Sequence, residues 1–235
     1  MPTSSRACFV ERNLFRSTLF PRSREFIPSF FSQRSPVEFV NSLDDNALNW
    51  FAGIREGHGW LTPIMRDLSA VGGRYVLALL VLFAIGLLCS LRRYRTAGFI
   101  VIAALGALAL SEALKVTIGR PRPPHADPFA MASDPSPSFP SGHSMLSAAI
   151  YLTLAMVATA VIPRWRVRAY VITSSLVLVG LVGVSRMYLG VHYLTDVVSG
   201  WALGLTWALI CRWVEFRWVL RMEKRDAELR RNTES

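Results

Sequence analysis

The chain has 235 residues, 52% of them hydrophobic, and a formal net charge of +10. Soluble domains average roughly 45–50% apolar residues, so the total decides little. The apolar residues here gather into runs free of charge, which argues against a soluble enzyme or a nucleic-acid binder. The three cysteines, Cys8, Cys89 and Cys211, are odd in number and lack metal-ligand spacing, so they indicate neither a disulfide framework nor a zinc site.

Residues 1–45 are rich in Arg, Ser, Phe and Pro without sustained periodicity, and are expected to be poorly ordered or to lie along a surface. They faintly resemble an organelle transit peptide, against which Glu11 and Glu25 count. From Asp44 the pattern changes. Asp44 or Asp45 can cap a helix carrying Leu48, Phe51 and Ile54; after the Gly57-His58-Gly59 break, Leu61, Ile64, Met65 and Leu68 form the stripe of an amphipathic helix. Arg55, Glu56, Arg66 and Asp67 forbid a span, so both are expected to be interfacial helices. His58, between glycines, reads as a loop residue.

Uncharged apolar runs follow at Tyr75–Leu91, Ala97–Ser111, Ser144–Ile162, Ala169–Ser185 and Val197–Cys211. Each approaches the ~20 residues that a bilayer demands, and none has the polar face of a helix in a soluble core. The fold class expected is all-α: a polytopic membrane helix bundle with five crossings, or six if a poorly formed one precedes Tyr75. Of the 26 basic residues 24 are arginine. With five crossings, Arg92–Arg95, Arg164–Arg168 and the tail arginines share one side, the cytoplasmic one by the positive-inside rule. The 118–142 loop and the 185–192 turn then face outward. The Arg-rich N-terminus would also be outside, so either it lies on the membrane or a sixth crossing precedes Tyr75. The expected organisation is an N-terminal segment (1–45), a transmembrane domain (46–214) and a basic cytoplasmic tail (215–235).

Three stretches carry the chemistry. Ionisable groups are costly in hydrocarbon, so those within membrane segments are candidates for function. Lys115, one of only two lysines, ends the second run and precedes Arg120 and Arg122, which three prolines stiffen. Alone, Lys115 could snorkel or pair with Glu112. Guanidinium groups on a stiff loop suit phosphate oxygens. Next, Ser138-Phe-Pro140-Ser141-Gly142-His143 opens the third run, where small residues let backbone N–H groups approach an anion at a helix N-terminus. Finally, Ser185-Arg186 is followed by His192 and Asp196. If a helix begins near His192, Asp196 lies one turn on and can hold one ring nitrogen while the other points outward.

Read together as Lys115-x6-Arg122-Pro, Pro-Ser-Gly-His143 and Ser-Arg186-x5-His192-x3-Asp196, these stretches resemble the type 2 phosphatidic acid phosphatase superfamily. The resemblance covers roughly residues 47–211. It implies that His192 is the nucleophile, forming a phosphohistidine, with Asp196 orienting it. His143 would protonate the leaving oxygen and later help to activate water. Lys115, Arg122 and Arg186, with Ser141 and the Gly142 amide, would hold the phosphoryl oxygens, a task for fixed charge in phosphoryl transfer. Arg120 falls outside this signature and reads as a loop residue or a supporting one.

No cofactor and no metal are implied, since the cations replace one. The expected activity is that of an integral-membrane lipid phosphatase acting on a prenyl diphosphate, phosphatidate or phosphatidylglycerophosphate. The short length and amphipathic entry helices are most similar to bacterial undecaprenyl-diphosphate phosphatases. That implies a bacterial inner-membrane location with the site on the periplasmic side. The alternative is a lipid headgroup phosphotransferase of the same fold. The related vanadate-dependent haloperoxidases share the anion cradle but are soluble, which the apolar runs contradict. The expected partners are the lipid phosphate and the bilayer, not nucleic acid.

Overall fold

A computed structural model describes residues 35–234 apart from His125 and Ser133. The reading of residues 1–34 therefore lies outside the described residues. The elements are α1 (Pro36–Gly57), α2 (Leu61–Val71), α3 (Arg74–Ser90), α4 (Tyr94–Ile118), α5 (Pro128–Ala132), α6 (Gly142–Val161), α7 (Trp165–Tyr188) and α8 (Leu194–Glu234), with no strand among the described residues.

Four of these are long and apolar enough to cross a membrane: α4, α6, α7 and the Leu194–Trp218 part of α8. A fifth crossing forms if α2 and α3, bent by 43° at a short break, act as one broken span. Among the described residues no sixth qualifies. The backbone of α8 stays helical to Glu234, so the basic tail continues that helix.

α6 is the central helix. Within its apolar window 56% of the residues are buried, against 17% for α7, whose sides are left to lipid. In hydrocarbon, helices associate through close packing of small residues and not through apolar burial alone. α6 supplies Ser144, Ser147, Ala148, Ala149 and Ala155 to that packing, all buried. From α8, Gly200 comes so close that a side chain there would stand 2.9 Å from the Ser141 carbonyl oxygen.

The chain's up-and-down course brings the C-terminal ends of α4 and α7 and the N-terminal ends of α6 and α8 to one end of the bundle. The three chemical stretches are therefore neighbours. α1 and α2 pack beneath them: Phe51, Ile54, Leu61 and Met65 cover a cluster of Ala130, Tyr188, Leu189 and Val191. The amphipathic stripes are thus real, but they face the loop that carries His192. Asp44 corrects its expected part as a cap. α1 begins at Pro36, so Asp44 sits inside the helix, with its carboxylate turned to α8.

Candidate active site

His192 lies in the short turn between α7 and α8 and is 0% exposed. Two residues on, α8 begins, and Asp196 in its first turn accepts a hydrogen bond from the Tyr193 amide at 3.0 Å. That bond, from the residue before the helix to a carboxylate in its first turn, helps to fix the carboxylate. Nδ1 of His192 is 3.7 Å from Oδ2 of Asp196, too far for a direct hydrogen bond. Ser138 fills the gap: its hydroxyl donates to Asp196 Oδ2 at 2.5 Å and lies 3.3 Å from His192 Nδ1. Because the hydroxyl proton goes to the carboxylate, the oxygen is left to accept Nδ1–H. The lone pair then resides on Nε2.

Nε2 faces Arg122, whose Nη1 is 3.4 Å away. Arg122 is itself fixed by carbonyls, donating Nε to Ser136 at 2.7 Å and Nη1 to Val191 at 3.2 Å. Burial, with the charges of Arg186 and Arg122, pushes the His192 imidazole down to about 4, and Asp196 opposes that shift. The ring is therefore neutral and nucleophilic at neutral pH.

Lys115 is buried near the end of α4, one turn before the left-handed Gly119 that terminates the helix. Its ammonium donates to Ser136 Oγ at 2.7 Å and only grazes Glu112 at 4.0 Å, so simple pairing with Glu112 does not account for it. Gly142 makes room for it: a Cβ at that position would stand 3.0 Å from Nζ. Ser141 caps α6 and accepts from Ser144 N at 3.5 Å, while its own amide donates to the Asp196 carbonyl at 3.1 Å. The first-turn amides of α6 lack intrahelical carbonyls, and the Ser141 hydroxyl takes only that of Ser144. His143 follows at the second helical position, and Arg186, buried at the end of α7, spends one nitrogen on Ser69 Oγ at 2.8 Å. Its Nε and Nη2 have no hydrogen-bond partner among the described residues.

All eight residues expected from the sequence thus meet at one end of the bundle. A cavity of about 220 Å³ reaches His143 and Arg186 and is also lined by Arg66, Arg74, Tyr75 and Phe129. Arg74 borders in addition an apolar groove of about 370 Å³ between α3, α4 and α6.

Four participants escape the motif spacing. Ser138 bridges the histidine and the aspartate. Asp134 enters among the cations, 3.3 Å from Arg122 Nη2 and 3.6 Å from Lys115 Nζ. Arg120 donates to Asp196 Oδ1 at 2.6 Å and to Asp44 Oδ2 at 2.8 Å, with its guanidinium 4.1 Å from the Tyr193 ring centroid. Asp44 completes that chain by accepting from the Thr195 amide and hydroxyl at 2.9 and 2.7 Å. The only sequence signal for the last pair is the cost of burying a charge, which requires a partner.

A family model described as the PAP2 superfamily matches residues 95–220. Over 151 residues the chain is 34% identical to phosphatidylglycerophosphatase B of Bacillus subtilis, a match covering 62% of this chain and 71% of that protein. It is 32% identical over 152 residues to an undecaprenyl-diphosphatase of Sulfolobus acidocaldarius, covering 61% and 66%. The crystal structure of a transmembrane PAP2 type phosphatidylglycerolphosphate phosphatase from Bacillus subtilis matches with a TM-score of 0.70 at 29% identity, covering 76% of this chain and 87% of that one.

Proposed function

This chain belongs to the PAP2 superfamily and is a phosphatase, and on that premise we propose that it removes a terminal phosphate from a membrane lipid through a phosphohistidine on His192. The observation that carries this reading is Nε2 of His192, which bears the lone pair and faces Arg122 within a buried set of cations.

In the first step Nε2 attacks phosphorus and the bond to the lipid oxygen breaks, with His143 giving that oxygen its proton. Lys115, Arg122 and Arg186, with Ser141 and the Gly142 amide, hold the phosphoryl oxygens as charge redistributes, which is where such a site gains most of its rate. Asp196, through Ser138, keeps the proton on Nδ1 and stabilises the charge that the ring acquires. In the second step His143, now neutral, takes a proton from water as the water attacks phosphorus. The P–N bond breaks and inorganic phosphate leaves. Fixed cations do the work that a metal ion does elsewhere.

The substrate reading follows from shape. A lipid phosphate needs a charged end and an apolar end. Arg74 stands where the polar cavity and the apolar groove meet, so a headgroup in one could leave its tail in the other. Phosphatidylglycerophosphate, undecaprenyl diphosphate and phosphatidate are the substrates to compare, the first two taken from the names of the relatives. The cation-rich end of the bundle is assigned to the periplasmic side of a bacterial inner membrane, because the arginine clusters flanking α3, α4, α6 and α7 lie at the opposite end.

The test is phosphate release by purified protein from those three lipids in excess EDTA. Free phosphate from at least one of them, lost in His192→Ala, is expected. Loss of activity that magnesium alone restores, or transfer to another lipid in place of free phosphate, would overturn the reading.

A further inference from the structure

The cation set described above is already occupied by an anion of the protein's own. Asp134, 3% exposed, precedes the Pro-Ser-Pro-Ser138 segment. Its Oδ2 lies 3.3 Å from Arg122 Nη2, 3.6 Å from Lys115 Nζ and 4.0 Å from His143 Nδ1. Its Oδ1 accepts from Ser136 Oγ at 2.5 Å and lies 3.8 Å from Arg74 Nη2. Burial works against ionisation, but the Ser136 hydrogen bond and the charges of Lys115, Arg122 and His143 outweigh it and hold the carboxyl well below its ordinary value. The group is therefore an anion.

It is an imperfect one for this place. Arg122 Nη2 is within ion-pair distance of the carboxylate yet has no hydrogen-bond partner, and neither do Nε and Nη2 of Arg186. A single carboxylate offsets only part of the positive charge and leaves buried donors unused. A phosphoryl group, with three terminal oxygens, serves more of them. Position points the same way. Arg74 and His143 line the 220 Å³ cavity, whereas Lys115, Arg122 and His192 do not. Asp134 touches members of both sets and so lies between the cavity and the nucleophile.

We propose that Asp134 is the resident counter-ion of the phosphate cradle, that the substrate's phosphoryl group displaces it, and that its return limits how tightly the site holds inorganic phosphate. The proposal rests on the phosphatase reading above. A site that is free for its ligand only a fraction of the time loses that fraction in apparent affinity. If the carboxylate holds the cradle for all but about a tenth to a hundredth of the time, phosphate binding is weakened about 10- to 100-fold.

The experiment compares competitive inhibition by inorganic phosphate and by orthovanadate in the wild type and in Asp134→Asn, which keeps the shape and removes the charge. The expected result is a Ki lower by about tenfold or more for both anions, with KM falling alongside it. If the Asn variant does not fold, Ser136→Ala takes its place: it leaves the charge but removes the hydroxyl that holds it, and Ki should again fall. Lipid phosphatase activity in the wild type with Ki unchanged or raised in the folded variant would overturn the role of Asp134 alone. A wild type that releases no phosphate from any lipid, and that neither anion inhibits, would overturn both readings.

Discussion

Ser138 gives its hydroxyl proton to Asp196 at 2.5 Å, and this contact, rather than a direct one, couples the carboxylate to His192. Ser138→Ala would leave Nδ1 with a carboxylate 3.7 Å away and nothing between them. A ring free to tilt misaims Nε2, and misplacement on that scale costs rate steeply. The expected loss is on the order of 10–10²-fold in kcat with KM nearly unchanged. Equal kcat in the variant, measured in detergent micelles, would show that Asp196 positions the ring without the serine.

Asp44 ties α1 to the first turn of α8 through Thr195 and holds the far side of Arg120. Asp44→Ala leaves a buried amide and a partly buried guanidinium without that partner. The expected cost is about 1–3 kcal/mol of stability, with a loss of activity because Arg120 no longer bridges to Asp196. Thermal unfolding beside a kinetic assay checks this. An unchanged midpoint would mean that water replaces the carboxylate.

The helices, and the meeting of the eight candidate residues at one end of the bundle, are legible because each leaves a local mark: charge-free runs of spanning length, a proline-stiffened pair of arginines, a Pro-Ser-Gly-His helix start. Asp44 and Asp134 leave none. Each is an ordinary acidic residue in a polar stretch, and its value depends on which distant cations the fold brings to it, Arg120 across 76 positions in one case. Asp44 even read as a helix cap, because Asp before an apolar stripe usually is one. Its helix starts earlier, so the residue was free for a tertiary contact. Phe51 and Ile54 belong to one predicted stripe and Leu61 and Met65 to the next, but periodicity does not say whether lipid or protein covers them.

His192 makes stability depend on pH in a definite direction. Its folded value is about 4, below the ordinary ~6.5 of an unfolded histidine. The unfolded chain therefore binds the proton first as pH falls. The contribution is complete above about 6.5, declines through the interval and is gone below about 4, a difference of about 3 kcal/mol. His192→Gln should flatten that part of the stability profile. The acid limb of kcat/KM should likewise fall near 4. A limb near 6.5 would mean that the ring titrates as though exposed.

The two histidines differ in what they give to the leaving group. His192→Ala removes the atom that attacks phosphorus, so every substrate should fail alike. In the phosphorylation step His143→Ala removes only a proton donor; the loss it causes in the water step is the same for every substrate. A lipid alkoxide needs that proton, and losing general-acid help costs on the order of 10²–10⁴-fold. A nitrophenolate is stable without it, and a diphosphate should fall between. The rate of leaving-group release in the first turnover of all three substrates by both variants checks this. Equal losses on alkyl and aryl phosphates for His143→Ala would remove the histidine from its role as acid.

The most direct measurement is to trap the phosphorylated protein. His143→Ala should slow the attack of water on the intermediate, so this variant is mixed with radiolabelled nitrophenyl phosphate, whose leaving group needs no proton, quenched in alkali and digested. A phosphorus–nitrogen bond survives alkali and breaks in acid. The expected result is an acid-labile, alkali-stable label on the peptide that carries His192, absent when His192 is replaced by Ala. A label on any other residue, or turnover that inverts the configuration of a chiral phosphorus centre and so requires a single displacement, would contradict a phosphohistidine at His192.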